Sequence, residues 1–133
     1  MKIRFIELDI NGDERGNLIA IEGLKDIPFE IKRIYYIFNL KRNAPRGFHV
    51  HKKLQQVAIC IKGSCKFLLD NGKEKVRDII LDRPNKGLFI DKMIWREMYD
   101  FSEDCILLVL ANDYYDENDY IRDYGEFLKT IKV

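Results

Sequence analysis

Short β-prone runs recur along this chain, each cut off by turn-forming residues before it can grow long. "KIRFIELDI" (Lys2–Ile10) and "NLIAIE" (Asn17–Glu22) flank "NGDERG", where Gly12 and Gly16 break the pattern. "IKRIYYIFNL" (Ile31–Leu40) is rich in β-branched and aromatic residues. "GFHVHKK", "QQVAICI", "SCKFLLD", "KVRDIIL", "KGLFI", "IWREMY" and "CILLVLA" continue the series. Asp70-Asn71-Gly72-Lys73 is the strongest hairpin signal, because Asn-Gly suits a type I′ turn. Roughly nine or ten strands at this spacing predict an all-β sandwich or barrel and exclude a chain of βαβ units. Only the end changes period. In "DENDYIRDYGEFLKTIKV", Tyr120, Ile121, Tyr124, Phe127, Leu128 and Ile131 recur at helical spacing, with acids before them and lysines after. The expectation is one domain over 1–133, with β-structure over 1–115 and a helix over 116–131 capping it.

Charge narrows the function. The 23 basic and 22 acidic residues leave a formal net charge of +1, so no broad basic field exists to bind nucleic acid. No apolar run has the length of a signal peptide or a membrane span, which predicts a cytoplasmic protein that does not engage a membrane. Cys60, Cys65 and Cys105 lie in apolar segments and read as buried thiols, with no CxxC pair to form a zinc knuckle.

The chain has two histidines, His49 and His51, both in "RGFHVHKK". Side chains alternate along a strand, so the two imidazoles share a face at about 7 Å spacing, with Phe48 and Val50 on the other. His-x-His resembles the opening of the cupin metal motif, in which an acid follows four residues later. Here that position is Gln55, and "RPNKGLFIDKMIWREM" supplies no later histidine. Two nitrogen ligands fall short of the three or four protein ligands of a catalytic metal, so no metal and no cofactor is expected. Histidine titrates near neutrality and can take and return a proton. Two such groups on one face suit proton transfer between adjacent atoms, such as enolisation beside a carbonyl. Two polar residues that merely satisfy each other or water are the plainer alternative.

"RGFHVHKKLQQVAICIKGSC" resembles the signature of the nucleotide-sugar 3,4-ketoisomerases, small cupin-fold enzymes of deoxysugar biosynthesis. "ERGNLIAIE", "IPFEIKRIYYIF", "GLFI…WREM" and "LANDYYDENDYIRDYGEFLK" fall in the family's order, so the resemblance spans nearly the whole chain. It implies a small cupin-type jelly roll with a C-terminal helix. It implies a dTDP-linked 4-keto-6-deoxy sugar, dTDP-4-keto-6-deoxy-D-glucose, as substrate and the 3-keto sugar as product, without metal. It also implies a homodimer with exchanged N-terminal strands, for which "KIRFIELDI" is the candidate. His49 and His51 would then be the catalytic pair.

The diphosphate calls for cationic donors, and arginine binds phosphate through a two-pronged fork. Arg15, Arg33 and Arg46 lie in the matching segments; Arg15 and Arg46, each beside a glycine, lead. Arg96 would meet the sugar from across the lumen or form a structural ion pair. Tyr35 and Tyr36 point opposite ways, and Tyr35 is the candidate sugar ligand, although parity alone does not choose. Gln55 and Trp95 are further substrate candidates, with a solvated strand end and core packing as their ordinary roles. A sugar 3,5-epimerase, a non-catalytic sugar-binding cupin and a metal-dependent oxygenase are the competing readings.

Overall fold

A computed structural model describes residues 1–132. Its elements, in chain order, are β1 (Arg4–Glu7), β2 (Asn11–Asp13), β3 (Gly16–Leu18), β4 (Arg33–Ile37), β5 (Arg46–His51), β6 (Gln56–Lys62), β7 (Cys65–Asp70), β8 (Lys75–Leu81), β9 (Lys86–Ile90), β10 (Trp95–Tyr99), β11 (Ile106–Ala111), β12 (Tyr120–Ile121) and α1 (Tyr124–Ile131). The strands form two five-stranded sheets, ordered β1-β9-β6-β11-β4 and β12-β5-β10-β7-β8, with β2-β3 as a separate hairpin. Each pairing is antiparallel. This is the expected all-β, jelly-roll-like plan of two packed sheets. Among the described residues no helix is long and apolar enough to cross a membrane.

Alternation along the strands builds the interior. Ala58, Cys60, Phe67, Leu69, Leu88, Ile90, Leu107 and Val109 belong to one buried cluster drawn from both sheets. A second cluster lies outside the second sheet, where Val50, Leu68 and Trp95 pack against Ile121 and Phe127. The helix is therefore held by its apolar stripe, and Phe127 is fully buried. Asp123 starts it by accepting the Glu126 amide at 2.9 Å.

Two local expectations need correction. The helix does not run over 116–131. A 3₁₀ turn occupies Glu117–Asp119, Tyr120–Ile121 pairs with β5 as β12, and α1 begins only at Tyr124. Tertiary pairing with His51 and Val50 overrides the helical spacing of Tyr120 and Ile121. The Asn71-Gly72 signal does mark the β7–β8 turn. However, the loop spans four residues, closed by the Asn71 amide on the Glu74 carbonyl at 3.2 Å. The Asn71 side chain accepts from Lys73 and Glu74, so asparagine acts here by capping as well as by backbone freedom.

"KIRFIELDI" folds as the first strand of the single chain. Its β1 pairs with β9 of the same chain, Arg4 opposite Phe89 through Glu7 opposite Lys86. The element left without a sheet is the β2-β3 hairpin, exposed along its whole length.

Candidate active site

The histidines sit on β5, opposite β10, at a break in register. Arg96 faces His49, but the next residue, Glu97, faces Gly47, so Phe48 is an extra residue in β5. Phe48 has φ 56° and Gly47 has φ 95°. A β-bulge of this kind changes which side chains share a face. Arg46 lies opposite Met98 and His49 opposite Arg96, and Met98 and Arg96 are two apart on β10, so both β5 side chains turn inward. A Cβ on Gly47 would come within 2.9 Å of the Arg96 carbonyl oxygen, so glycine is needed for space as well as for φ.

The two imidazoles meet edge to face, with ring centroids 4.9 Å apart. Tyr120 packs against both, at 5.0 Å from His49 and 4.4 Å from His51. The hydrogen bonds assign the tautomers. His49 Nδ1 lies 3.0 Å from the Gly47 carbonyl oxygen, and His51 Nδ1 lies 3.3 Å from Asp119 Oδ2. A carbonyl and a carboxylate only accept, so each Nδ1 carries the proton and each Nε2 presents a lone pair. His51 Nε2 is buried and has no protein partner.

Opposite the histidines lies a buried polar chain. Arg96 is 2% exposed. Its Nη1 donates to Gln56 Oε1 at 2.6 Å and its Nη2 to the Ile94 carbonyl at 3.0 Å, while Nε is unpartnered. Gln56 Nε2 in turn donates to the Tyr35 hydroxyl at 3.2 Å. Burial, then the Arg96 charge, pushes His49 down to about 4. The same two causes, followed by His49 itself, push His51 down to about 2. Both imidazoles are thus neutral bases at neutral pH, beside a buried cation. Burial also lowers Arg96 to about 10, which leaves it charged.

Two cavities flank the Tyr120 ring. One, of about 370 Å³, is bordered by His49, Arg33, Tyr35, Arg46 and Arg122. The other, of about 180 Å³, reaches His51 and Asp119. Arg33 borders both and stacks its guanidinium on Tyr35 at 4.7 Å.

Of the residues singled out from sequence, His49, His51, Arg33, Tyr35, Arg46 and Arg96 converge here. Three do not. Trp95 is on the opposite face of β10, under the helix, with its indole N–H on Glu97. Gln55 binds Asp91 and Asn112 in the flanking loops, and its neighbour Gln56 enters the interior instead. Arg15 is at the tip of the β2-β3 hairpin, its side chain 85% exposed and bound to Asp13. Sequence reading missed Gln56, Asp119, Tyr120 and Arg122. The last three fall within 116–131, the segment expected to be helical. The one signal for them is Tyr120 itself, an aromatic that the β12 pairing places beside His51.

Among the described residues, one group of three or more His, Cys, Asp or Glu side chains is gathered closely enough to hold an ion. It is Cys60, Cys65 and Cys105, not the histidine pair.

The sequence model of the family described as "FdtA: WxcM-like, C-terminal" matches residues 1–132. A curated relative from Aneurinibacillus thermoaerophilus, named TDP-4-oxo-6-deoxy-alpha-D-glucose-3,4-oxoisomerase, is 56% identical over 119 residues, covering 90% of this chain and 85% of its own length. The crystal structure of a 3,4-ketoisomerase from Helicobacter canadensis matches with a TM-score of 0.96 at 54% identity, over 100% of this chain and 99% of that one. A sugar 3,4-ketoisomerase from Thermoanaerobacterium thermosaccharolyticum, crystallised with TDP, matches with a TM-score of 0.94 at 48% identity, over 98% and 94% of the two chains.

Proposed function

The chain belongs to the FdtA, WxcM-like C-terminal family, and from that premise we propose that it is an isomerase acting on TDP-linked 4-keto-6-deoxy-D-glucose and moving the ketone from C4 to C3. The observation that carries this reading is the pair of neutral imidazoles with free Nε2 lone pairs, facing a buried arginine. A ketone at C4 acidifies the C3 hydrogen. One imidazole takes that proton, the C3–H electron pair becomes the C3–C4 double bond, and negative charge moves to O4. Arg96, buried in a water-poor setting, holds the developing charge. The other imidazole carries the proton from O3 to O4. Return of the first proton to C4 then leaves the ketone at C3. Asp119 fixes the His51 tautomer and steadies that ring whenever it is protonated.

The rim suits the rest of the substrate. Arg33, Arg46 and Arg122 border the larger cavity and offer the fork-like donors a diphosphate needs. The same family premise supports a homodimer, with an exchange carried by the β2-β3 hairpin and not by β1. The hairpin joins neither sheet, and Ile34, Tyr36 and Phe38, near the exposed edge formed by β4, face solvent in the single chain. Exchange of the hairpin would bring Arg15 to the partner's cavity. Sedimentation of wild type against Leu18→Glu tests it: a dimer in the first and a monomer in the second are expected, and a monomeric wild type sinks the idea.

The reaction is tested by incubating metal-stripped protein with dTDP-4-keto-6-deoxyglucose in D2O and following the sugar by NMR. The ketone should move from C4 to C3. Deuterium at C3 and C5 with the ketone kept at C4 would indicate a 3,5-epimerase, and no exchange would indicate a binding module. His49→Asn and His51→Asn should each lose most turnover while keeping the fold. Near-normal turnover in both refutes the assignment.

A further inference from the structure

Far from the histidines, three thiols from three different segments meet in the core. Cys60 is near the end of β6, Cys65 opens β7, and Cys105 precedes β11. All three are unbridged and at most 2% exposed. Their sulfurs lie within 4.8 Å of one another, and Cys60 and Cys105 are 3.7 Å apart. Two loops hold them together. Ser64, in the β6–β7 turn, donates its amide to the Ser102 hydroxyl and accepts the Ser102 amide, both at 2.9 Å, and the Cys105 amide binds the Ser102 carbonyl at 3.1 Å.

The spacing fits one three-coordinate atom. Bonds of about 2.3 Å to each sulfur separate the sulfurs by about 4 Å in a plane, and by less when the central atom sits above them. Charge then selects among thiophilic ions. Beyond one another, the thiols' hydrogen bonds among the described residues reach only the Lys62 carbonyl oxygen. The cluster shares its core with Phe67, Leu81, Phe101 and Leu107. Three thiolates around a divalent ion leave one net negative charge in that setting, and around copper(I) they leave two. An unpaired charge buried away from water is strongly destabilising. A trivalent ion leaves none.

We infer that Cys60, Cys65 and Cys105 form a binding site for one trivalent, three-coordinate thiophilic element, with arsenic(III) as the type case. Arsenous acid, As(OH)3, condenses with three thiols to give one As(SR)3 and three waters. Three As–O and three S–H bonds break, three As–S and three O–H bonds form, and no electron is transferred. The product is neutral, as the three thiols were, so the apolar site takes it without stranding a charge. Along β7, Cys65 is four residues from Leu69, which lies opposite Arg96. That is about 13 Å of strand, so the site is separate from the histidine cavity and does not rest on the reading of it.

The test uses the reduced full-length protein, refolded with arsenite present so that burial does not limit access. Native mass spectrometry should show one arsenic per chain, and arsenic X-ray absorption should show three sulfur neighbours and no oxygen. Cys60→Ser, Cys65→Ser and Cys105→Ser should each weaken binding on the order of 100-fold, the scale set by the effective concentration of a tethered third ligand. Circular dichroism of each variant reports its fold, and the wild-type absorption spectrum decides the coordination number should any variant not fold. No adduct, a spectrum with an As–O neighbour, or a single variant that binds as tightly as wild type overturns the inference.

Discussion

The depressed titration of His51 predicts an acid-sensitivity that can be weighed. The ordinary imidazole value is 6.5, and burial with the Arg96 charge holds His51 down to about 2 in the folded chain. Between these values the unfolded chain binds a proton at this residue and the folded chain does not. Stability therefore falls as pH falls through this window and is fully retained only above 6.5. At about pH 4.5 the unfolded imidazole has gained roughly two pH units of proton binding, worth about 2.7 kcal/mol. That figure requires only that the native ring is still neutral at this pH. Replacing His51 with asparagine removes the linkage whatever it does to the overall stability. Urea unfolding, followed by the fluorescence of Trp95, should be compared at about pH 7 and about pH 4.5. Wild type should lose about 2.7 kcal/mol more than His51→Asn between the two conditions. Equal losses, within about 0.5 kcal/mol, would show that His51 is already cationic or solvated in the folded chain, and the neutral-base argument would fail with it.

Three further outcomes follow from the same geometry. Asp119→Asn keeps one acceptor oxygen, which can serve the Lys53 amide, but replaces the oxygen shared by the Leu54 amide and His51 Nδ1 with a donor, so kcat should fall on the order of 100-fold while circular dichroism reports the fold; a change confined to KM would place Asp119 in binding instead. Arg96→Met removes the charge that helps depress both histidines, so the acid limb of the residual kcat/KM profile should move upward from the region near 4, where His49 titrates; an unmoved limb would show that the Arg96 charge does not contribute to the depression. Gly47→Ala forces a Cβ to within 2.9 Å of the Arg96 carbonyl at a left-handed φ, and should destabilise the chain by about 1–3 kcal/mol while lowering turnover, as read by urea unfolding beside the NMR assay.

The strand series was legible because two-residue alternation and turn residues act locally. The same alternation, applied to neighbours, also bears on two of the site residues misread. Trp95 and Arg96 are adjacent on β10, so they cannot both face one lumen; Arg96 goes in and Trp95 goes under the helix. The Gln55 and Gln56 pair divides in the same way, with Gln56 the first residue of β6. Arg33 and Tyr35 share parity on β4 and both reach the cavity, which leaves Tyr36 61% exposed on the other face.

Two features of the site lie beyond any local rule. The bulge at Gly47 and Phe48 shifts parity by one, and it is what lets Arg46 join His49 on the inner face; strict alternation would turn Arg46 away. Asp119 reaches His51 across 68 residues of chain, and Tyr120 joins it by a pairing that only the folded sheet provides. These non-local pieces fix the chemistry. Without Asp119 and the Gly47 carbonyl, neither ring would be held in one tautomer, and without Arg96 the two bases would lose the buried positive charge opposite them. In the proposed reaction two histidines on one strand face provide the bases, while the carboxylate, the carbonyl and the buried guanidinium determine which nitrogen is free and what charge it can help create.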